Sequence, residues 1–249
     1  MSKKRIVASI EARLNSSRLP GKVLKTIFGK PSIELLVDRL RLSKYLDEIV
    51  IATTNSKLDD VLISWCEDYK VKYYRGSEDD VLGRVVEAHK ECDTDVVVSL
   101  TGDCPFTDPE VVDLGIQTFL ANECDYLTNC EIESFPQGIC VQVFRFSDLN
   151  DIEKQYSDPV VREHVTVPFY EDKTKYRNIN LIALESSQLK SHCRTQLDYP
   201  EDLLFLNKVA SSLIPQFGYG FSTQQLVEFI KNNPNLLEIN KDCIEKKIR

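Results

Sequence analysis

Three cations, Arg13, Arg18 and Lys22, lie within ten residues of one another and follow directly on the apolar run Ile6–Ile10. Arginine offers a planar fork for phosphate oxygens and lysine a mobile point charge, so the set suits a triphosphate better than a single carboxylate. A short apolar run bounded by turn residues is a buried strand of a parallel sheet, and open α/β sheets bind ligands beyond the carboxyl ends of such strands. Three surface cations elsewhere would be an ordinary solvated loop; their place after a strand favours a phosphate site. It is not a P-loop, because Ser16 stands where the first glycine is needed and Val23 where a metal-binding hydroxyl is needed. Nor is it a dinucleotide fingerprint, since Gly218 and Gly220 stand alone without a preceding strand.

A triphosphate site normally carries Mg²⁺, which takes one or two carboxylates and keeps several waters. Asp103 is one candidate ligand: it follows the apolar run Val96–Leu100, with Gly102 before it and Cys104 and Pro105 ending the strand. A turn-forming aspartate would fit the same place. Asp198 is the second, between Leu197 and a helix that opens near Pro200, where an N-cap role fits equally well.

The elements that must position these groups alternate. Strands are expected at 6–10, 48–53, 71–74, 96–100, 125–128 and 139–144, and helices at 32–42, 57–69, 109–120 and from Pro200 to Leu213. Ser77 and Asp80 are expected to form a capping box for a helix running through His89, and Ser222 with Gln225 a second one before a C-terminal helix. Asp158 and Pro159 open a helix through Val165 that Pro168 ends or kinks. The rhythm is that of a mostly parallel α/β sheet flanked by helices, in a single domain over 1–249. A small acceptor or dimerisation subdomain is expected over about 131–180, and a helical extension over 214–249.

The chain has 249 residues and a formal net charge of −8, which disfavours nucleic acid or an anionic membrane as partner and makes the basic loop a local, ligand-directed feature. Eight cysteines without zinc-type clustering are expected to be reduced thiols, mostly in the core. No apolar run is long enough to span a bilayer, and a cytoplasmic location is expected.

Several separated blocks together resemble the spore-coat polysaccharide branch of the acylneuraminate cytidylyltransferases: Ala12 and Arg13, Ser16–Leu24, Arg75–Leu82, Thr101–Pro105, Arg162–Thr166 and Leu197–Asp202. The resemblance runs to Asn240 and implies a Rossmann-like nucleotidyltransferase fold, CTP as donor, Mg²⁺ as cofactor and a homodimer. Carried over residue by residue, it gives Arg13 and Lys22, with Arg18 as a lesser member, to the triphosphate. Ala12, Thr101, Gly102 and the loop bearing Arg75, Gly76, Ser77 and Asp79 join the nucleotide pocket. Asp103 and Asp198 become metal ligands, and Arg13, Lys22 and Asp103 the catalytic set. Gln137, Cys140 and Gln142 fall on the acceptor side, and Arg162, Glu163 and His164 on that side or at the dimer interface.

The chain leaves the pattern in two places. Glu11 and Asn15 replace glutamine and glycine in the first loop, where asparagine is expected to take a left-handed turn and a glutamate to repel the triphosphate. Gln137, Cys140 and Gln142 each replace an acid, which implies a more anionic or differently shaped acceptor. The expected activity is transfer of CMP from CTP to an anionic sugar-type acceptor, in surface polysaccharide or glycoconjugate synthesis. The alternatives are a nucleotide-sugar-dependent glycosyltransferase, although an Asp-x-Asp pair is missing at Asp103, and a non-catalytic nucleotide-binding subunit.

Overall fold

The computed structural model describes residues 3–184 and 193–245. Strand β1 (Ile6–Glu11) leads through a long loop to a two-residue hairpin, β2 (Thr26–Ile27) and β3 (Lys30–Pro31), and to helix α1 (Ser32–Leu40). Then follow β4 (Glu48–Thr54), α2 (Asp60–Tyr69), β5 (Lys72–Gly76), α3 (Val81–Glu91), β6 (Val96–Thr101), α4 (Pro109–Ala121) and β7 (Tyr126–Thr128). The second half holds β8 (Gln142–Arg145), α5 (Phe146–Gln155), α6 (Pro159–Glu163), α7 (Val167–Glu171), β9 (Asn178–Asn180), α8 (Pro200–Phe217) and α9 (Thr223–Asn232). The central sheet runs β5-β4-β1-β6-β8-β7-β9. Its pairs are parallel except those of β8, which lies antiparallel between β6 and β7. This is the α/β architecture expected from the sequence, a mostly parallel sheet flanked by helices.

Strand β1 is buried from Ile6 to Ile10 because helices cover both faces of the sheet. Ile6, Ala8 and Ile10 enter one core with residues of α1, α2, α4, α8 and α9, whereas Val7 enters the other with residues of α3, α5, α6 and α7. Strands β8 and β9, from the 131–180 stretch, add to the same sheet, and α5 to α7 cover one of its faces. Among the described residues no helix is long and apolar enough to cross a membrane.

Several local expectations are corrected. Strand β5 continues to Gly76, so residues 77–80 become a loop and Asp80 alone caps α3, accepting from Gly83 N at 2.9 Å; the Ser77 hydroxyl instead accepts from Asp79 N. The 139–144 strand is confined to Gln142–Arg145, because Ile139–Val141 spends its backbone on Asn129, whose side chain bonds Ile139 O and Val141 N. That cross-chain zipper brings the Cα atoms of Cys130 and Cys140 to 5.9 Å, and the two form a disulfide, so these two are not thiols. Of the remaining cysteines, Cys66, Cys92, Cys104, Cys124 and Cys193 are free and buried. Pro168 occupies the first turn of α7, where its missing N–H is harmless, and so opens a helix. Ser222 and Gln225 do form a reciprocal cap: Gln225 Oε1 accepts from Ser222 N at 2.8 Å and Ser222 Oγ from Gln225 N at 3.3 Å.

Arg39 of α1 is wholly buried and fixes the turn after β6. It donates to Thr107 O at 3.0 Å, Phe106 O at 3.2 Å and Phe221 O at 2.8 Å, and to Tyr219 O, with its guanidinium 4.0 Å from the Phe221 ring centre. Burial pulls its pKa down to about 10, against an opposing pull from Asp108. Arg39→Met strips four carbonyls of their donor in an apolar setting, and we expect it to lower stability by at least about 3 kcal/mol. Urea denaturation checks this; a change within about 0.5 kcal/mol, the range of ordinary surface substitutions, would show that the clamp is dispensable.

Candidate active site

Strand β1 has β4 on one side and β6 on the other, so the chain winds away in both directions from the β1/β6 seam, and a crevice opens there at the carboxyl ends. Into this crevice come the loop after β1, the turn after β6, and the segment 193–199 before α8. Gly102 N donates to Glu11 O at 2.9 Å and Leu197 N to Asp103 O at 2.7 Å, which ties the three together. A side chain at Gly102 would meet Ala12 Cβ at 3.0 Å, so close approach of the first two loops requires this glycine. A side chain at Gly138, whose φ is +94°, would lie 2.6 Å from Gln196 N, so the third segment also packs against a glycine.

Lys22 Nζ stands between two carboxylates, 2.6 Å from Asp103 Oδ2 and 2.8 Å from Asp198 Oδ1. Asp198 is fully buried and also takes Arg18 at 2.7 Å and Arg194 at 2.6 Å. Asp202 braces it from behind, its Oδ2 accepting the backbone N–H of Asp198 at 2.9 Å and of Tyr199 at 3.0 Å, while Arg194 Nε donates to Oδ1 at 3.1 Å. The N-cap alternative for Asp198 is thereby displaced, since Asp202 serves the backbone there. Burial alone would raise the Asp103 carboxyl, but the Lys22 charge and hydrogen bonds from Lys22, Thr101 and Gln196 bring it down to about 2. For Lys22, burial works to lower the pKa, and Asp103 and Asp198 outweigh it and raise it. Both groups are therefore charged at neutral pH.

Of the residues expected at the nucleotide, some meet across the β1/β4/β5 half and others do not. Arg13 Nη1 lies 3.2 Å from Glu78 Oε1 and Asn15 Nδ2 donates to the same oxygen at 2.9 Å, so the first loop and the 75–80 loop meet. Asn15 does not take the expected left-handed backbone; Gly21 does, with φ 67°, and Asn15 acts through its side chain. Ala12 is buried against the seam, its N–H donating to Ala52 O at 3.3 Å. Arg75 is turned toward α2, donating to Thr54 O and Ser56 O and pairing with Asp60 at 2.8 Å, while Gly76 O accepts from Asn55 N. Asp79 is exposed on this loop. Thr101 Oγ1 donates to Asp103 Oδ1 at 2.6 Å. At the end of β1 the Glu11 carboxyl rises to about 7, chiefly through burial, with Arg84 and a hydrogen bond from Ser99 opposing and Asp103 reinforcing the rise.

On the other side, Gln137 Nε2 donates to Gln196 Oε1 at 3.2 Å and Gln196 Nε2 to Asp103 Oδ2 at 3.3 Å, so Gln137 joins the centre through one neighbour. Gln142 sits opposite Ser99 and Thr128 in the ladder, and the Cys140 sulfur is held in the disulfide. Arg162 is not joined to the Lys22 centre; it pairs with Asp80 and with Glu153 at 3.2 Å and so pins α6 to the start of α3. Glu163 and His164 are carried by the same turn, 4.0 Å from one another. Arg194, Gln196, Asp202 and Arg84 were not expected from the sequence. The spacing Arg194, Asp198, Asp202 was the available signal, because two acids four residues apart beside an apolar segment need a cation.

Residues 7–211 match the cytidylyltransferase family model. The spore coat polysaccharide biosynthesis protein SpsF of Bacillus subtilis is 33% identical over 92% of this chain and 95% of its own. A cytidylyltransferase from Leptospira borgpetersenii shares the structure with a TM-score of 0.88, at 29% identity over 98% of this chain and 100% of the other. The structure of CMP:2-keto-3-deoxy-manno-octonic acid synthetase complexed with CTP has a TM-score of 0.63 at 19% identity, covering 83% of this chain and 98% of the other, and bears on the fold. With the model matched over most of its length, the chain belongs to the cytidylyltransferase family, and it is an enzyme of that kind.

Proposed function

We propose that this enzyme transfers CMP from CTP to an anionic sugar-type acceptor and releases pyrophosphate, in the making of a surface polysaccharide or related glycoconjugate. The observation that carries the reading is Lys22 Nζ held between Asp103 and Asp198 at the seam of the two halves of the crevice. An acceptor oxygen attacks the α-phosphorus in line while the bond to the leaving pyrophosphate breaks. Lys22, Arg13 and Arg18 neutralise charge that develops on the leaving phosphates. The names of the Bacillus relative and of the CTP-bound structure support the acceptor class and the nucleotide.

The residues present fit Mg²⁺: two carboxylates from separate loops converge on one cationic position, and hard oxygen donors are what this ion takes. Asp103 and Asp198 would hold it, and when bound it supplies charge neutralisation between acceptor and α-phosphate. Lys22 is long and mobile enough to turn from the carboxylates to phosphate oxygens. The proposal includes a homodimer, for which the exposed Ile132, Ile182 and Leu184 offer apolar surface.

The test is pyrophosphate release with Mg²⁺ and each nucleoside triphosphate against a panel of 2-keto sugar acids, sugar phosphates and phosphonates. CTP-dependent release is expected, whereas release of a nucleoside diphosphate from a sugar nucleotide would favour glycosyl transfer. Asp103→Asn and Lys22→Ala are each expected to cut turnover by about 10²- to 10³-fold while the circular dichroism spectrum is kept. Wild-type turnover in either variant would refute the site.

Glu11 gives a pH signature with a fixed sign. Its carboxyl titrates near 4.5 in the unfolded chain and near 7 in the folded one, so the unfolded state loses the proton first as pH rises. The stabilising contribution is full below the lower value and lost as pH rises through the upper one. Glu11→Gln is therefore expected to gain melting temperature over wild type progressively from about pH 5 to about pH 8. A pH-independent difference between the two proteins would show that Glu11 is an ordinary carboxylate.

A further inference from the structure

The last described residues return across the crevice. Asn240, buried, donates Nδ2 to Arg194 O at 3.0 Å and to Asp202 Oδ1 at 2.9 Å, anchoring the tail on the residues that brace Asp198. Ile244 O then accepts from Arg18 Nη1 at 3.4 Å and from the Tyr199 hydroxyl at 3.2 Å. Glu245 Oε2 accepts from Gln137 Nε2 at 2.8 Å. A continuous chain of polar contacts thus runs from Glu245 through Gln137 and Gln196 to Asp103 and Lys22. Glu245 itself is exposed, so it stands at the mouth and not within the core. It lies on the β6/β8 side of the seam, opposite the side that holds Arg13 and Glu78.

We infer that Glu245 is a specificity-determining residue for the acceptor: its carboxylate accepts a hydrogen bond from a hydroxyl of a polyhydroxylated sugar acid, and Gln137 is the positioning residue that aims it. The inference rests on the cytidylyl-transfer reading above. Gln137 can serve this purpose because an amide donates. A carboxylate at 137 would face Glu245 as a like charge and lose the bond. Residues 134–142 carry no acid of their own, and a residue more than a hundred positions after Gln137 brings a carboxylate to them. A carboxylate placed there selects for hydrogen-bond donors on the acceptor and selects against a second acidic group at that end, because a hydroxyl meets it with a hydrogen bond whereas a like charge repels it. The anionic end of the acceptor is left to face Lys22 and the metal position.

The experiment uses the full-length chain, with CTP binding measured by calorimetry in Mg²⁺ and pyrophosphate release measured with 2-keto sugar acids, 3-deoxy-manno-octulosonate among them. Glu245→Ala is expected to raise the acceptor KM about tenfold, equivalent to one lost hydrogen bond to a charged group, with kcat within about threefold and the Kd for CTP within about twofold of wild type. Gln137→Glu is expected to raise the acceptor KM likewise, because it removes the amide that aims the Glu245 carboxylate and sets a like charge beside it. An unchanged acceptor KM in Glu245→Ala would overturn the inference. So would a tighter Kd for CTP in that variant, which would make the tail a plug on the triphosphate site, or an unchanged acceptor KM in Gln137→Glu. A wild-type protein that binds CTP but turns over no hydroxylated sugar acid overturns the acceptor assignment alone. One that does not bind CTP removes the underlying reading as well.

Discussion

Asp198 is a carboxylate with no exposed surface, and three cations surround it: Lys22, Arg18 and Arg194. Removing a charge from water costs several kcal/mol even after relaxation, and the cost is offset only when partners and hydrogen bonds are well placed. With Asp103 and Asp202 the cluster holds three acids and three bases, so it is balanced in charge while drawing on segments far apart in the chain. Leaving any one of these segments out of place would strand a buried charge. The loop after β1, the turn after β6 and the approach to α8 are therefore obliged to meet.

Under the proposed function, a phosphate chain that engaged Lys22 and Arg18 would take positive charge away from Asp103 and Asp198 and leave the two carboxylates to hold a divalent cation. Arg194 and Asp202 would meanwhile keep Asp198 in position. The low pKa of Asp103 means that this carboxylate needs no deprotonation before it can act. In an acidic protein with a formal net charge of −8, the cations of the crevice are thus matched by its own carboxylates.

The sheet divides the crevice into two unlike halves. Parallel strands β5, β4 and β1 present their carboxyl ends to the loops that carry Arg13 and Glu78. Beyond β6 the antiparallel β8 brings its amino end, Gln142, to the same edge, so the segment before β8 arrives at the crevice where a parallel strand would have sent a loop away. The Cys130–Cys140 disulfide and the Asn129 side chain hold that segment against β7, and Gly138 lets it pack on Gln196. One reversed strand thereby gives this half of the crevice a different set of walls from the half beside β4 and β5.

By its local pattern the sequence determined the strand into the basic loop, the alternation of strands and helices, and the acidic residues at Asp103 and Asp198, because apolar period and turn chemistry act over a few neighbouring residues. Its family resemblance placed the Arg75–Asp80 loop and the acceptor segment. What the tertiary structure decided are partnerships between residues distant along the chain. Arg75 turned toward Asp60, Arg162 toward Asp80, Cys130 met Cys140, Arg194 and Gln196 came to the centre, and Glu245 came to Gln137 at the mouth. Long flexible side chains such as arginine reach several candidate partners equally well in sequence. Only the crossing of the backbone, fixed by the sheet order and the burial of charge, selects one.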